Sequence, residues 1–378
     1  MENVEDLAKW LHARFYRTDY RPVPLKEYLS IGNTLYSAQG QIVSAVDYDH
    51  GPVFSLCLEG LRAGQQVIVF CGTKKACEDL CLALVERFGH SPSGLCHQSG
   101  GNVDGRCMVE RLRVSELHDE SDKPALKAFV MAGAAFHHSD LSEAGRTAIE
   151  KAFKDGNLSV LFATSTLATG VNLPAGRVII NGLAIGRDML SVTTFRQMCG
   201  RAGRAGQATL GEAFLVVGDK ERDRAFALMN APYPPVVSQI APKTDGGRGM
   251  LKALLEIHSL GVCGSVNDVL AFVEGTLWFF ASSIQCRHEV VVSSRKCLTF
   301  LIQARMVESA SIESDYTTSI TRFGLATIEG GMNPDEVMVY YEDLYLAHQG
   351  LNLQTNLHLL YLITSVDHTI PPDFKIMW

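Results

Sequence analysis

Three things are missing from this sequence, and each rules out a class of chemistry. There is no Gly-Lys dipeptide, hence no GxxxxGK[ST] loop to cradle nucleotide phosphates. The ten cysteines include no CxxC pair, so neither a zinc ribbon nor a thioredoxin-like redox centre is expected. No apolar run approaches the ~18 residues of a transmembrane helix, and the acidic, amphipathic start MENVEDLAKW is no signal peptide; no membrane partner is expected. Basic charge is also scarce. The 34 Lys and Arg against 41 Asp and Glu leave a net charge of −7, which argues against a uniformly basic nucleic-acid binder but not against a local basic groove.

What remains reads as a folded chain. Its 378 residues are 47 % apolar and 20 % charged, ordinary for a globular protein of two or three domains. Cys77 and Cys81, four apart in an apolar helical pattern, read as reduced core residues rather than metal ligands, and thiols at this density point to the cytosol or nucleus.

After a helical stretch, VEDLAKWLHARF, and the Pro-punctuated YRPVPLKEYLSIG, the run VIVFC at 67–71 has the length of a buried strand. Cys77, Leu80, Cys81, Leu84, Val85 and Phe88 then share one helical face. Residues 89–125 are polar and Gly-rich and read as a surface insertion. Ser142 caps a helix running to about Lys154, with Gly156 as its stop. LSVLFA, RVII and EAFLVV are further strands. Apolar strands alternating with helices imply an α/β fold with a mainly parallel sheet covered on both faces, whose ligands bind on loops at the strands' carboxyl ends.

Beyond APYPPVV the pattern turns helical: GMLKALLEIHSLG, SVNDVLAFVEGTLWFF and a helix ending near Ala304, with MVES and YTTSITRFG as a hairpin. Three helices and a hairpin resemble a winged helix. Asn333, Pro334 and Glu336 open another helix, with Val337, Tyr340, Tyr341 and Leu344 on its apolar face. LNLQTNLHLLYLIT suggests one more. The domains are expected at 1–235 (1–50 serving as a linker), 236–330 and 331–378.

The chemistry concentrates in two segments. FRQMCGRAGRAG places Arg201 and Arg204 among Gly200, Gly203 and Gly206, so rigidly held guanidinium forks are presented where phosphate oxygens suit them. Taken alone, a surface helix start with two solvated arginines explains it equally well. ATSTLATGVNLPAGRVII starts at a strand end and presents Thr164, Ser165, Thr166, Thr169, Gly170 and Asn172, groups that suit phosphate contacts or local capping bonds. Between 177 and 206 stand five arginines (177, 187, 196, 201, 204) and one acid, Asp188, the local basic bias a phosphate groove needs.

TSTLATGVNLPA followed by QMCGRAGRAG resembles motifs V and VI of superfamily 2 helicases, in the branch of archaeal repair helicases, the polymerase-theta helicase region and helicase POLQ-like. VIVFCGTKKACEDL resembles motif IV and AAFHHSDLSEAGR motif IVa. The likeness covers nearly the whole chain except 89–125. It implies a RecA-like domain, a winged helix and the start of a helical domain, from the C-terminal part of an ATP-dependent DNA helicase moving 3′ to 5′ in the nucleus. It implies arginine fingers at Arg201 and Arg204, nucleotide engagement by Gln197, Gly170, Asn172 and Gly200, and strand contacts by Thr73, Thr164, Thr166, Arg146 and Arg187. ATP with magnesium and single-stranded or forked DNA would be its ligands. The metal's ligands would belong to a first RecA-like domain absent from this chain, because Asp335-Glu336 follows Pro334 rather than a strand.

The resemblance also implies a duplex-parting hairpin at 181–191, although NGLAIGRDMLS offers only Leu183, Ile185, Met189 and Leu190 as a wedge and reads equally as a connector. Asp140 and Asn181 depart from the branch, Asp140 placing an acid near the expected strand. His137 and His138 read as packing or turn residues. An RNA helicase and a non-catalytic binding module remain alternatives.

Overall fold

The computed structural model describes residues 3–18, 20–45, 48–89, 95, 125–171, 173–203, 210–241, 247–312 and 315–349. They form two compact units: residues 17–234, and residues 1–16 together with 235–378.

The first unit is built on an eight-stranded sheet. Its strands are β1 (Leu25–Ile31), β2 (Thr34–Ser37), β3 (Ile42–Ala45), β4 (Val67–Cys71), β5 (Ala134–His137), β6 (Val160–Ala163), β7 (Arg177–Asn181) and, after a small hairpin of β8 (Ala184–Ile185) and β9 (Asp188–Met189), β10 (Gly211–Val217). The spatial order is β3-β2-β1-β10-β7-β4-β6-β5. All neighbours are parallel except β2 against β1 and β3. Every residue of β4, β5 and β6 is buried, as strands covered on both faces must be. The cover comes from α2 (Pro52–Arg62), α3 (Lys74–Phe88), α4 (Ala125–Ala132), α5 (Glu143–Lys154), the short α6 (Thr166–Gly170), α7 (Val192–Cys199) and α8 (Arg222–Asn230). Cys77, Cys81, Leu84 and Val85 form the buried face of α3 as their spacing predicts. Ser142 accepts a bond from Gly145 N at 3.1 Å to start α5, and Gly156 stops it with φ +82°.

Two readings change here. The segment after the first helix is not a linker: β1 pairs with β10 along its whole length and carries β2 and β3 as the sheet's edge. Long-range parallel pairing leaves no local spacing signature, which is why only the structure reveals it. The surface insertion at 89–125 lies outside the described residues apart from Gly89, Leu95 and Ala125; Leu95 is buried, its N bonded to Ala132 O at 2.9 Å.

The second unit contains α1 (Val4–Trp10), α9 (Arg248–Ser259), α10 (Val266–Glu274), α11 (Leu277–Ala281), α12 (Ile284–Gln303), the hairpin β11 (Val307–Ile312) with β12 (Asp315–Ile320), α13 (Arg322–Glu329) and α14 (Pro334–Gln349). Met250, Leu254, Val269, Val273, Val290, Leu298, Leu301 and Met306 form its core. Buried His258 ties α9 to β12: its Nδ1 donates to Leu254 O at 2.6 Å, so Nε2 accepts from the Thr318 hydroxyl at 3.0 Å. This is the expected winged helix, with one helix split at Gly275 because Thr276 caps a new start at Phe279 N. The opening helix ends at Trp10, short of the predicted Phe15, and belongs to this unit. Trp10 Nε1 donates to Gly275 O at 2.8 Å, and Asn3 exchanges two bonds with Val236. Arg248 holds Asp335 at 2.7 Å and Glu336 at 3.1 Å, a structural duty for that acidic pair. Tyr341, placed on α14's apolar face, is half-exposed and leans on Phe323. The helix expected at 351–364 lies outside the described residues.

Candidate functional site

Parallel strands deliver their following loops to one end of a sheet. In the register, Phe70 of β4 faces Ala163 of β6, and Ala163 faces His137 of β5. The segments Gly72-Thr73-Lys74, Thr164-Ser165-Thr166 and His138 to Leu141 therefore share one edge. Thr73 is exposed and caps α3, its Oγ1 accepting from Ala76 N at 3.1 Å. The Thr164 and Thr166 hydroxyls lie 3.0 Å apart. Three expected strand-contact residues thus lie on the loops of this edge.

Arg146 is tied into its own turn. Its Nη1 donates to Ser139 O at 3.3 Å and Leu141 O at 2.6 Å, so the guanidinium is used to satisfy the turn's carbonyls. His137 and His138 hold the turn as expected, though acids do reach them: Glu150 at 2.8 Å from His137 and Glu78 at 3.0 Å from His138. Spacing hid both, because the glutamates arrive from helices. Burial lowers the His137 pKa against the opposing pull of Glu150. Among the described residues, no group of three or more His, Cys, Asp or Glu could hold a metal.

Residues 181–191 do form a hairpin, β8 against β9, with Gly186 at φ +62° and Arg187 exposed in its turn. Its anchor is a residue the sequence reading passed over. Gly186 N donates to Gly72 O at 2.7 Å, and a Cβ on Gly72 would collide with Ala184 O. Leu183 and Leu190 are buried feet of the hairpin rather than wedge residues, whereas Met189 is 57 % exposed.

The arginine-rich segment is mostly committed inward. Arg177 is 3 % exposed, bonded to Glu212 at 2.7 Å, Glu59 at 3.2 Å and Leu56 O at 2.9 Å, and lies over the Phe214 ring. Arg196 pairs with Glu27 at 2.8 Å and also donates to Met229 O. Counting five arginines as a basic groove was therefore too generous: two pair with acids, Glu212 and Glu27 half-buried and Glu59 exposed. Arg187 and Arg201 remain, and Arg204 lies outside the described residues, as does Asn172.

Arg201 sits where three segments are sewn together. Ala175 N donates to Arg201 O at 2.9 Å, Gly203 N to Ala175 O at 2.7 Å, and Arg21 Nη2 to Ala202 O at 2.7 Å. Gly203 adopts φ +97°, and a Cβ there would stand 2.9 Å from the Val23 side chain. The backbone at 201–203 is thus held by the YRPV stretch and by Ala175. The Arg201 side chain donates through Nε at 3.1 Å, and through Nη2, to Ala168 O inside α6. Its Nη1 has no hydrogen-bond partner among the described residues. Burial lowers its pKa, the sign of a cation partly stripped of water and receptive to an anion. Gln197 and Gly200 are exposed beside it on and after α7. Gly170 ends α6.

Residues 95–206 match the helicase conserved C-terminal domain, and 211–308 match a helix-turn-helix domain. The chain is similar to the C-terminal part of superfamily 2 helicases. It is 32 % identical to mouse DNA polymerase theta over 97 % of its own length and 15 % of that protein. It is 30 % identical to human helicase POLQ-like over 100 % of itself and 35 % of that protein. Against the ATP-dependent DNA helicase Hel308 of Thermoplasma acidophilum it is 30 % identical, over 79 % of itself and 41 % of the relative. The chain thus spans less than half the length of each of these relatives.

Proposed function

We propose that this chain is the second motor half of an ATP-dependent DNA helicase that tracks 3′ to 5′ along single-stranded or forked DNA in the nucleus. One observation carries the reading. Arg201 is partly desolvated, backbone-locked, and wired through Ala168 O to the helix that begins at the Thr164 and Thr166 hydroxyls. A nucleotide sensor and a strand-facing loop are joined by one hydrogen-bonded unit.

In this reading Arg201 and Arg204 stabilise charge developing on the transferring phosphoryl group of ATP bound against another RecA-like domain, with Gln197 and Gly200 beside them and Gly170 and Asn172 relaying the change. Thr73, Thr164, Thr166 and Arg187 face the strand. Arg146 shapes the turn. In the same reading, the magnesium bound with ATP takes its protein ligands from that other domain. The domains divide as 1–235, 236–330 and 331–378 in chemical role, with α1 lending itself to the winged-helix unit.

The test joins the chain behind a phosphate-loop domain of a relative and measures DNA-stimulated ATP hydrolysis. Arg201→Ala and Arg204→Ala should each lower turnover by ~10³-fold or more, the scale of an arginine finger. Unchanged turnover in Arg204→Ala overturns the finger assignment, and stimulation by RNA in place of DNA redirects the substrate.

A further inference from the structure

One ion pair on the strand-facing edge runs against the local helix dipole. Lys74 Nζ lies 2.6 Å from Asp140 Oδ1, the two side chains 46 % and 49 % exposed. Lys74 is the first residue of α3, whose first turn contains no acid. A helix start carries partial positive charge and favours anions, so an ammonium there works against the helix dipole. Two positive features therefore converge beside Thr73 and ask for an anion. The one supplied is the carboxylate of Asp140.

That carboxylate is delivered by a pre-built turn. Asp140 N donates to His138 Nδ1 at 3.3 Å, Arg146 holds the carbonyls of Ser139 and Leu141, and Glu78, one turn beyond Lys74 on the same helix, reaches His138 at 3.0 Å. The turn and α3 are fastened at two points, and the outer one is Lys74–Asp140. Being in solvent, this pair is weak, so a phosphate can displace it.

We infer that Asp140 is an internal competitor for the phosphate that Lys74 would otherwise take, and thereby sets how tightly, and with what salt dependence, the chain holds a nucleic-acid strand. The inference rests on the strand-facing reading of this edge. Asp140 mimics one backbone phosphate; strand binding must first evict it, and the counterion released by Lys74 is lost from the gain. The device makes grip on the strand looser and less salt-sensitive than the loop's residues alone would give.

The experiment measures fluorescence anisotropy of a labelled oligothymidylate with the full chain, from low to physiological salt, for the wild type, Asp140→Asn and Asp140→Asn/Lys74→Gln, each checked by circular-dichroism melting. Asp140→Asn should bind several-fold more tightly at low salt, and the slope of log affinity against log salt should steepen by about 0.7, the value for one further phosphate neutralised on a single strand. Adding Lys74→Gln should return both quantities to wild type. An unchanged slope in Asp140→Asn, with binding otherwise intact, overturns this inference alone. So does a gain that persists without Lys74. Absence of binding by all three proteins at low salt overturns the strand-facing reading and this inference together.

Discussion

Arg177 sets the cost of a single misplaced change. It is enclosed by Glu212, Glu59, Leu56 O and the Phe214 ring. Arg177→Met would leave the half-buried Glu212 without its partner, and since breaking a fully buried pair costs ~3–5 kcal/mol, urea denaturation should show a loss at or below the lower end of that range. Thiols give a second residue-scale test. Burial pushes Cys57 up to about 12, and raises Cys81 and Cys199 as well. The unfolded chain therefore ionises these thiols first. The stability they contribute is complete below pH ~9 and drains away as pH rises through the folded values. Denaturation midpoints should fall between pH 9 and 12, and at pH 8 Ellman's reagent should reach exposed Cys286 but spare Cys57, Cys77, Cys81 and Cys199. Midpoints flat across that range contradict the burial argument. Cys77 and Cys81 were legible from sequence as core residues because apolar periodicity marks them. The inward turn of Arg177 was not, since its acids sit on elements far away in the chain.

At the scale of elements, the anchoring of β8 and β9 on Gly72 makes the hairpin's posture dependent on a glycine in a different loop. Gly72→Ala should lift the hairpin. In the reconstituted two-domain protein, duplex separation should drop while ATP hydrolysis on single strands stays within about twofold; equal loss of both indicates general unfolding instead. The helices show how far local signals reach. Ser142, Ser191 and Ser265 each cap a helix, and Ser265→Ala should cost the winged-helix unit ~1 kcal/mol in thermal or chemical unfolding. Caps and stops are written within a few residues and could be read directly. The partnership of β1 with β10, the seating of α1 through Trp10, and the duty of Arg146 inside its own turn depend on contacts that spacing does not encode. The opening helix was overextended because an amphipathic pattern continues past Trp10.

For the whole molecule, the proposal assigns this chain half of an ATP site. The isolated chain should therefore hydrolyse no ATP in the presence of DNA, and should bind single strands weakly, with affinity falling steeply as salt rises. Turnover by the isolated chain would refute that division of labour. The α/β class, the parallel sheet and the winged helix were legible because buried strands and amphipathic helices alternate with strong period. The basic groove was overestimated, because a count of arginines cannot tell which ones balance acids inside the same unit.

Arg201 is already tethered before any ligand arrives. Whatever draws its guanidinium outward must slacken the grip on Ala168 O, and so ease a helix only five residues long, Thr166–Gly170. So short a helix has little cooperativity of its own. It yields like a ratchet pawl rather than a beam, and in the proposed reading an anion at the far side of the guanidinium would time its release.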